Sequence, residues 1–68
     1  MNMEIGERVI VDAIATGDGV YHHGKIKDIY EFGRFTTLVD VEFDKPDLSG
    51  RWGITLTNLG LIRKEAAE

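Results

Sequence analysis

The stretch RFTTLVDVEF, residues 34–43, decides how this chain folds. Val39, Val41 and Phe43 fall two apart, and Asp40, Glu42 and then Asp44 alternate with them. A period of two, with β-branched and aromatic residues on one side and carboxylates on the other, is the pattern of a strand with one wet face. Antiparallel sheets are the setting in which one face is left to water. The neighbouring segments share this character. In ERVIVDA, residues 7–13, Val9, Val11 and Ala13 lie on one face behind a turn residue, Gly6, which predicts a first strand. In KIKDIYEF, residues 25–32, Ile26 and Ile29 are three apart, so strict alternation fails, and a bulge or strong twist is expected inside that strand.

Loops separate these segments. ATGDGVYHHG, residues 15–24, contains Gly17, Asp18 and Gly19, residues that tolerate positive φ, and reads as a loop. DKPDLSGRWG, residues 44–53, holds the only proline and reads as the longest loop, because proline cannot donate to a central ladder. Beyond it Trp52, Ile54 and Leu56 are in phase, so Trp52 is expected either in the core with Phe43 or, within GRWG, exposed at a rim. A turn over 57–60 and the apolar pair Leu61 and Ile62 complete the pattern. Short strands with turn signals about every ten residues predict an all-β fold, a small five-stranded antiparallel barrel. It is expected to occupy 1–68 as a single domain, with its core over 5–64 and a frayed polar tail over 65–68.

Composition narrows the function. A chain of 68 residues buries only about 60% of its unfolded surface. With no cysteine to staple it, the remaining supports are sheet closure and self-association as a homo-oligomer. The formal charge is −4, from twelve acidic against eight basic residues, which disfavours duplex nucleic acid bound by counterion release. It favours a protein partner with a basic surface. No apolar run approaches the roughly 20 residues that span a bilayer, so no membrane role and a cytoplasmic location are expected.

Four segments, GERVIV (6–11), DGVYHHGKIKDI (18–29), VDVEF (39–43) and ITLTNLGLI (54–62), together resemble the SH3-like barrel superfamily, in particular the barrels of Tudor domains, KOW domains and a small accessory protein of photosystem I. The resemblance implies a short single-turn helix at Thr57–Leu59, before the last strand. Tyr21 matches the aromatic residue that follows the first loop glycine in Tudor domains, but Phe43 and Asp44 lack the tyrosine that follows in that pattern, so no methyl-lysine cage is implied. VDVEFDKPDLSG (39–50) resembles the photosystem protein, which is usually basic in its first loop where this chain has Asp18.

Candidate chemistry is sparse. His22 and His23 are adjacent, and neighbours on a strand point to opposite faces, so one metal ion would not take both, and zinc needs three or four protein ligands. No metal and no cofactor are expected. Ser49 is the only serine and lies in no nucleophile elbow. A barrel this small is filled by its own side chains, so no enzyme is expected. Recognition remains. Tyr21, Tyr30, Phe32 and Phe35 flank loops and are expected to form a partner-binding face, since aromatic residues anchor interfaces. Asp40, Glu42 and Asp44 follow one another at about 6.8 Å along one face. They form either a solvated surface, neutralised in part by Lys25 and Lys27, or a docking stripe for lysine and arginine. The expected function is a non-catalytic protein-binding module: an adaptor, complex subunit or inhibitor. By analogy alone, a short acidic chain starting at methionine also suits a phage or mobile-element accessory protein. The alternative is single-stranded nucleic acid stacked on the loop aromatics beside Lys25, Lys27 and Arg34.

Overall fold

The computed structural model describes residues 3–65. Five strands, β1 (Arg8–Val11), β2 (His22–Phe32), β3 (Thr36–Phe43), β4 (Gly53–Leu56) and β5 (Ile62–Lys64), form one antiparallel sheet in the order β4-β3-β2-β1-β5. A four-residue helix, α1 (Ala13–Thr16), follows β1, and a single 3-10 turn over Leu59–Leu61 precedes β5. The all-β class, the five strands and the short helical turn before the last strand stand as the sequence predicts. The turn lies two residues beyond the Thr57–Leu59 position implied by the resemblance, because the Asn58 side chain caps it by accepting from the Gly60 N–H.

A lone sheet has no second layer to cover its apolar face, so it must cover itself. Val9 and Val11 from β1, Ile26 from β2, Val39, Val41 and Phe43 from β3, Leu56 from β4 and Ile62 from β5 form one buried cluster. Leu56 and Ile62 come from the two edge strands, so a flat sheet would hold them far apart; their shared cluster requires the sheet to curl. Hydrogen bonding does not close it into a barrel, since β4 and β5 remain edges among the described residues. Side chains span the gap instead. The connection over 57–61 leads from one edge to the other and brings Leu59 and Leu61 against the core.

Two features of β2 permit the curl. The register shifts between Ile26 and Asp28, leaving Lys27 as an extra residue opposite β3, the bulge that the Ile26–Ile29 spacing requires. Two residues earlier, Gly24 pairs with both Val9 and Phe43. A Cβ on Gly24 would lie 2.1 Å from the Glu42 carbonyl oxygen, so only glycine lets the two strands approach this closely.

Three expectations are corrected, and one alternative is decided. Trp52 is 61% exposed rather than in the core, because β4 begins only at Gly53 and the inward alternation does not reach back to residue 52. Ala13 leaves the first strand for α1, because Asp12 caps the helix by accepting the Ile14 N–H. The loop expected over 15–24 holds the end of α1 and the start of β2, with His22 already paired to Val11. Glu65, expected to fray, is fixed by its N–H donating to the Arg8 carbonyl and by its carboxylate accepting from Arg8 and His23. The rest of the tail, 66–68, lies outside the described residues.

The close approach at Gly24 yields a direct test. Gly24→Ala is expected to lower the unfolding free energy by about 1–3 kcal/mol, as forced overpacking does. Leu48→Ala, at a side chain 80% exposed, stays within about 0.5 kcal/mol of wild type. Urea unfolding followed by circular dichroism measures both.

Candidate functional site

The sheet interior is lined by aliphatic side chains, and the enclosed carboxylates lie beneath the loops. Two of them, 12–21 and 44–52, are held by buried carboxylates. Gly17 ends α1 in the left-handed region, φ 80°, and turns the chain so that Asp18 points back under its own loop. The Asp18 side chain is 7% exposed. It accepts from the Thr16 hydroxyl at 2.7 Å, the Val20 N–H at 3.0 Å, the His22 Nε2 at 2.9 Å and the Leu48 N–H at 3.3 Å. An ionised carboxylate only accepts, so Nε2 of His22 carries the proton it donates. The His22 ring then stacks on Phe43, with centroids 4.6 Å apart and planes 18° apart.

Asp47 does the same for the second loop. Its side chain is 1% exposed and accepts from the N–H groups of Ser49 and Arg51, each at 2.9 Å, and from Arg51 Nε at 2.8 Å. The Arg51 guanidinium also donates to the Thr16 carbonyl at 3.1 Å. The loops are therefore joined twice, by Leu48 to Asp18 and by Arg51 to Thr16. No buried side-chain nitrogen or oxygen among the described residues lacks a partner.

Taking two carboxylates out of water is unfavourable unless hydrogen bonds replace the lost hydration. Here those bonds fix loops that bury little apolar surface of their own. They present it instead: Ile14 is 73% exposed, Leu48 80%, and Val20 and Tyr21 are also exposed. Beside them lies a groove of about 380 Å³ whose walls include Val20, Tyr21 and Pro46, with His23, Asp44 and Lys45 at its polar side. The arrangement can hold an apolar side chain against pre-set walls. None of the residues lining it is a serine, threonine or cysteine.

Of the seven residues singled out by sequence, the four aromatics lie at two ends of β2 and the three acids lie along β3 and just past it. Tyr21 lies on the docked loops, where the Arg63 guanidinium sits 5.6 Å from its ring centroid. Tyr30, Phe32 and Phe35 belong to the β2–β3 hairpin, about 30 Å away along β2 at 3.3 Å per residue. The structure thus does not bring the four aromatics onto one face. Asp40 and Glu42 share the outer face of β3, with Asp44 just past its end, but cations meet Glu42 and Asp44. Arg8 donates to both oxygens of Asp44. Lys25 Nζ lies 3.7 Å from Glu42. Asp40 stands opposite Asp28, beside the Thr55 hydroxyl. The exposed Ile14, Val20 and Leu48 were missed by sequence reading; their signal is large apolar residues set among turn formers, as in DLSGRWG. Among the described residues no three histidines, cysteines or acids converge as metal ligands, and no helix is long and apolar enough to cross a membrane. Comparison with protein-family models, curated proteins and solved structures finds no match to this chain.

The carboxylates set a pH dependence. The Thr16 hydroxyl, followed by the N–H donors of Val20, His22 and Leu48, holds Asp18 well below its ordinary range against the opposing effect of burial. Burial raises Asp47, yet the Arg51 N–H and guanidinium and the Ser49 N–H hold it below its ordinary value. Arg8 lowers Asp44, and His23 with Arg8 lowers Glu65. A carboxylate with a lowered folded pKa contributes stability above its unfolded pKa, about 4, and loses it as pH falls toward the folded value. The unfolding free energy is therefore expected to fall steadily below about pH 4. Asp18→Asn lowers stability at pH 7 and flattens that acid slope. Urea titrations at stepped pH measure both, and an unchanged slope would remove Asp18 as the hub.

Proposed function

We propose that this chain is a non-catalytic protein-binding module of the SH3-like kind, an adaptor, complex subunit or inhibitor that recognises its partner with the two docked loops. One observation carries this reading: two nearly fully enclosed carboxylates, Asp18 and Asp47, hold loops whose apolar side chains Ile14, Val20, Tyr21 and Leu48 face solvent. Preorganising a surface before contact removes the entropy of ordering it during binding, and aromatic or aliphatic anchors on rigid loops are the usual source of interface energy. The partner supplies an apolar side chain to the groove at Val20, Tyr21 and Pro46. The net charge of −4 gives that partner a basic surface around the anchor.

The nucleic-acid reading has less support. It needs Lys25, Lys27 and Arg34 beside stacking aromatics, but Lys25 is engaged by Glu42, Lys27 is the bulge residue and Arg34 lies in the hairpin turn. Tyr21 is at the far end of the sheet from the other aromatics.

Affinity capture from nuclease-treated lysate of the source cells, followed by titration of the recovered partner, tests the proposal. Val20→Asp with Leu48→Asp is expected to weaken partner binding at least about tenfold. Asp40→Lys, away from the loops, changes the association rate and its salt dependence by less. Circular dichroism confirms that the variants fold. Recovery of nucleic acid alone from untreated lysate, with no protein surviving nuclease, overturns the proposal in favour of a nucleic-acid binder.

A further inference from the structure

Trp52 and the acidic row of β3 meet in a cleft on the outer face of the sheet. Cross-strand neighbours share a face, so that face carries the row Lys25, Glu42 and Gly53 beside the row Asp28, Asp40 and Thr55. Gly53 adds no side chain to its row, because a Cβ there would lie 2.5 Å from the Val41 carbonyl oxygen. The gap is a cleft of about 240 Å³, walled by the exposed Trp52 indole, Asp40, Glu42 and Lys27. It adjoins the docked loops, since Trp52 joins the 44–52 loop to β4. Negative charge dominates here. Lys25 meets Glu42, but Asp40 stands opposite Asp28, and no cation is within ion-pair distance of either among the described residues. Lys27 lines the cleft, yet its ammonium comes within 4 Å of no carboxylate among those residues. The two aspartates lie at the base of the two-stranded arm that β2 and β3 form past the reach of β1 and β4. The Tyr30 hydroxyl feels the same field: hydrogen bonding and charge from Asp28 raise it above its ordinary value, with a smaller part from the charge of Asp40.

We propose that this cleft receives an arginine side chain of the protein partner, its guanidinium stacked on the Trp52 indole and donating to the Asp40 carboxylate. The inference rests on the reading of the chain as a protein-binding module and names one side chain of the partner's basic surface. Three features select the occupant. An exposed indole face attracts cations, tryptophan more strongly than any other ring. Two opposed carboxylates without a counter-ion repel each other, and a cation between them relieves that repulsion. A guanidinium answers both at once, because its plane stacks on an aromatic face while its paired N–H groups meet a carboxylate; an ammonium is a more strongly hydrated point charge. Other side chains fit worse. An apolar group would cover Asp40 without replacing its hydration, and an acid would add a third like charge. The contact is secondary to the loop anchors, since its carboxylates are open to solvent and screened by it. It fixes the orientation in which the partner lies across the loops.

Trp52 is the only tryptophan, so its fluorescence reports on the cleft directly. The probes are a capped glycine-arginine-glycine peptide, its lysine counterpart, and its citrulline counterpart, which keeps the shape of arginine without the charge. Each is titrated into the intact chain at constant ionic strength. The arginine peptide is expected to give a saturable change with a dissociation constant on the order of 10 mM, and the other two to bind at least about fivefold more weakly. Asp40→Asn is expected to bring the arginine peptide down to the citrulline level. That variant keeps its fold, because it removes one member of a like-charge pair, and circular dichroism verifies this. Val20→Asp with Leu48→Asp, which disables the loop site, is expected to leave the peptide titration unchanged, so the two readings fail separately. Equal binding of the arginine and citrulline peptides overturns the inference, as does lysine binding as tightly as arginine. So does an Asp40→Asn chain that binds like wild type, or the lack of a saturable response below about 100 mM.

Discussion

A single five-stranded sheet must bury its apolar face against itself, and almost every other feature follows from that constraint. Curling brings Leu56 and Ile62, from the two edge strands, into the same cluster as the valines of β1 and β3. It requires a strand that can bend, and β2 does so at the Lys27 bulge, just after the close approach at Gly24. It also requires small inward side chains: valine and isoleucine fill the narrow interior, and Phe43 is the one aromatic residue within the core.

The loops are where the structure invests in order without gaining burial. Asp18 and Asp47 accept seven hydrogen bonds between them. Such networks are favourable only when complete, because a half-satisfied buried carboxylate is worse than an apolar residue. Completeness here demands a fixed loop geometry, and fixed geometry is what a recognition surface uses. The same logic places His22. Its ring is buried because stacking on Phe43 covers one side while Asp18 takes its proton donor, whereas its neighbour His23 points out to Glu65. Two adjacent histidines thus serve opposite faces of one strand, one holding a loop and the other tying down the chain end at Glu65.

Legibility in the sequence tracks how local each determinant is. VDVEF, residues 39–43, is readable because alternation is a property of successive residues, and the structure buries Val39, Val41 and Phe43. The bulge is readable because Ile26 and Ile29 break that alternation. Trp52 misleads for a related reason: it is in phase with Ile54 and Leu56, but phase carries meaning only inside a strand, and β4 starts one residue later. The carboxylate hubs are half legible. Asp12, Asp18, Asp47 and Asn58 each accept from the N–H two residues on, the local turn chemistry of these residue types. That Asp18 also takes the Leu48 N–H, thirty residues away, depends on how the loops dock. No local pattern contains it. The separation of Tyr21 from Tyr30, Phe32 and Phe35 is hidden for a different reason, because the unbroken length of β2 depends on its pairing with β3 beyond the reach of β1.

The acidic stripe joins the two ends of the molecule in one electrostatic account. Along the isolated strand, Asp40, Glu42 and Asp44 are three like charges on one face; in the folded sheet Lys25 from β2 and Arg8 from β1 meet two of them. What remains is Asp40 opposite Asp28, a like-charge pair that antiparallel sheets disfavour. It sits where the supported sheet gives way to the two-stranded arm, and the Asp28 carboxylate, through hydrogen bonding and charge, pushes the Tyr30 hydroxyl above its ordinary value. The neutralised part of the stripe stiffens the sheet beneath the docked loops through Arg8, which links β1 to Asp44 and Glu65. The unneutralised part weakens the base of the arm. One row of carboxylates therefore runs from an end cross-linked by ion pairs to a hairpin that, among the described residues, is held chiefly by β2–β3 pairing.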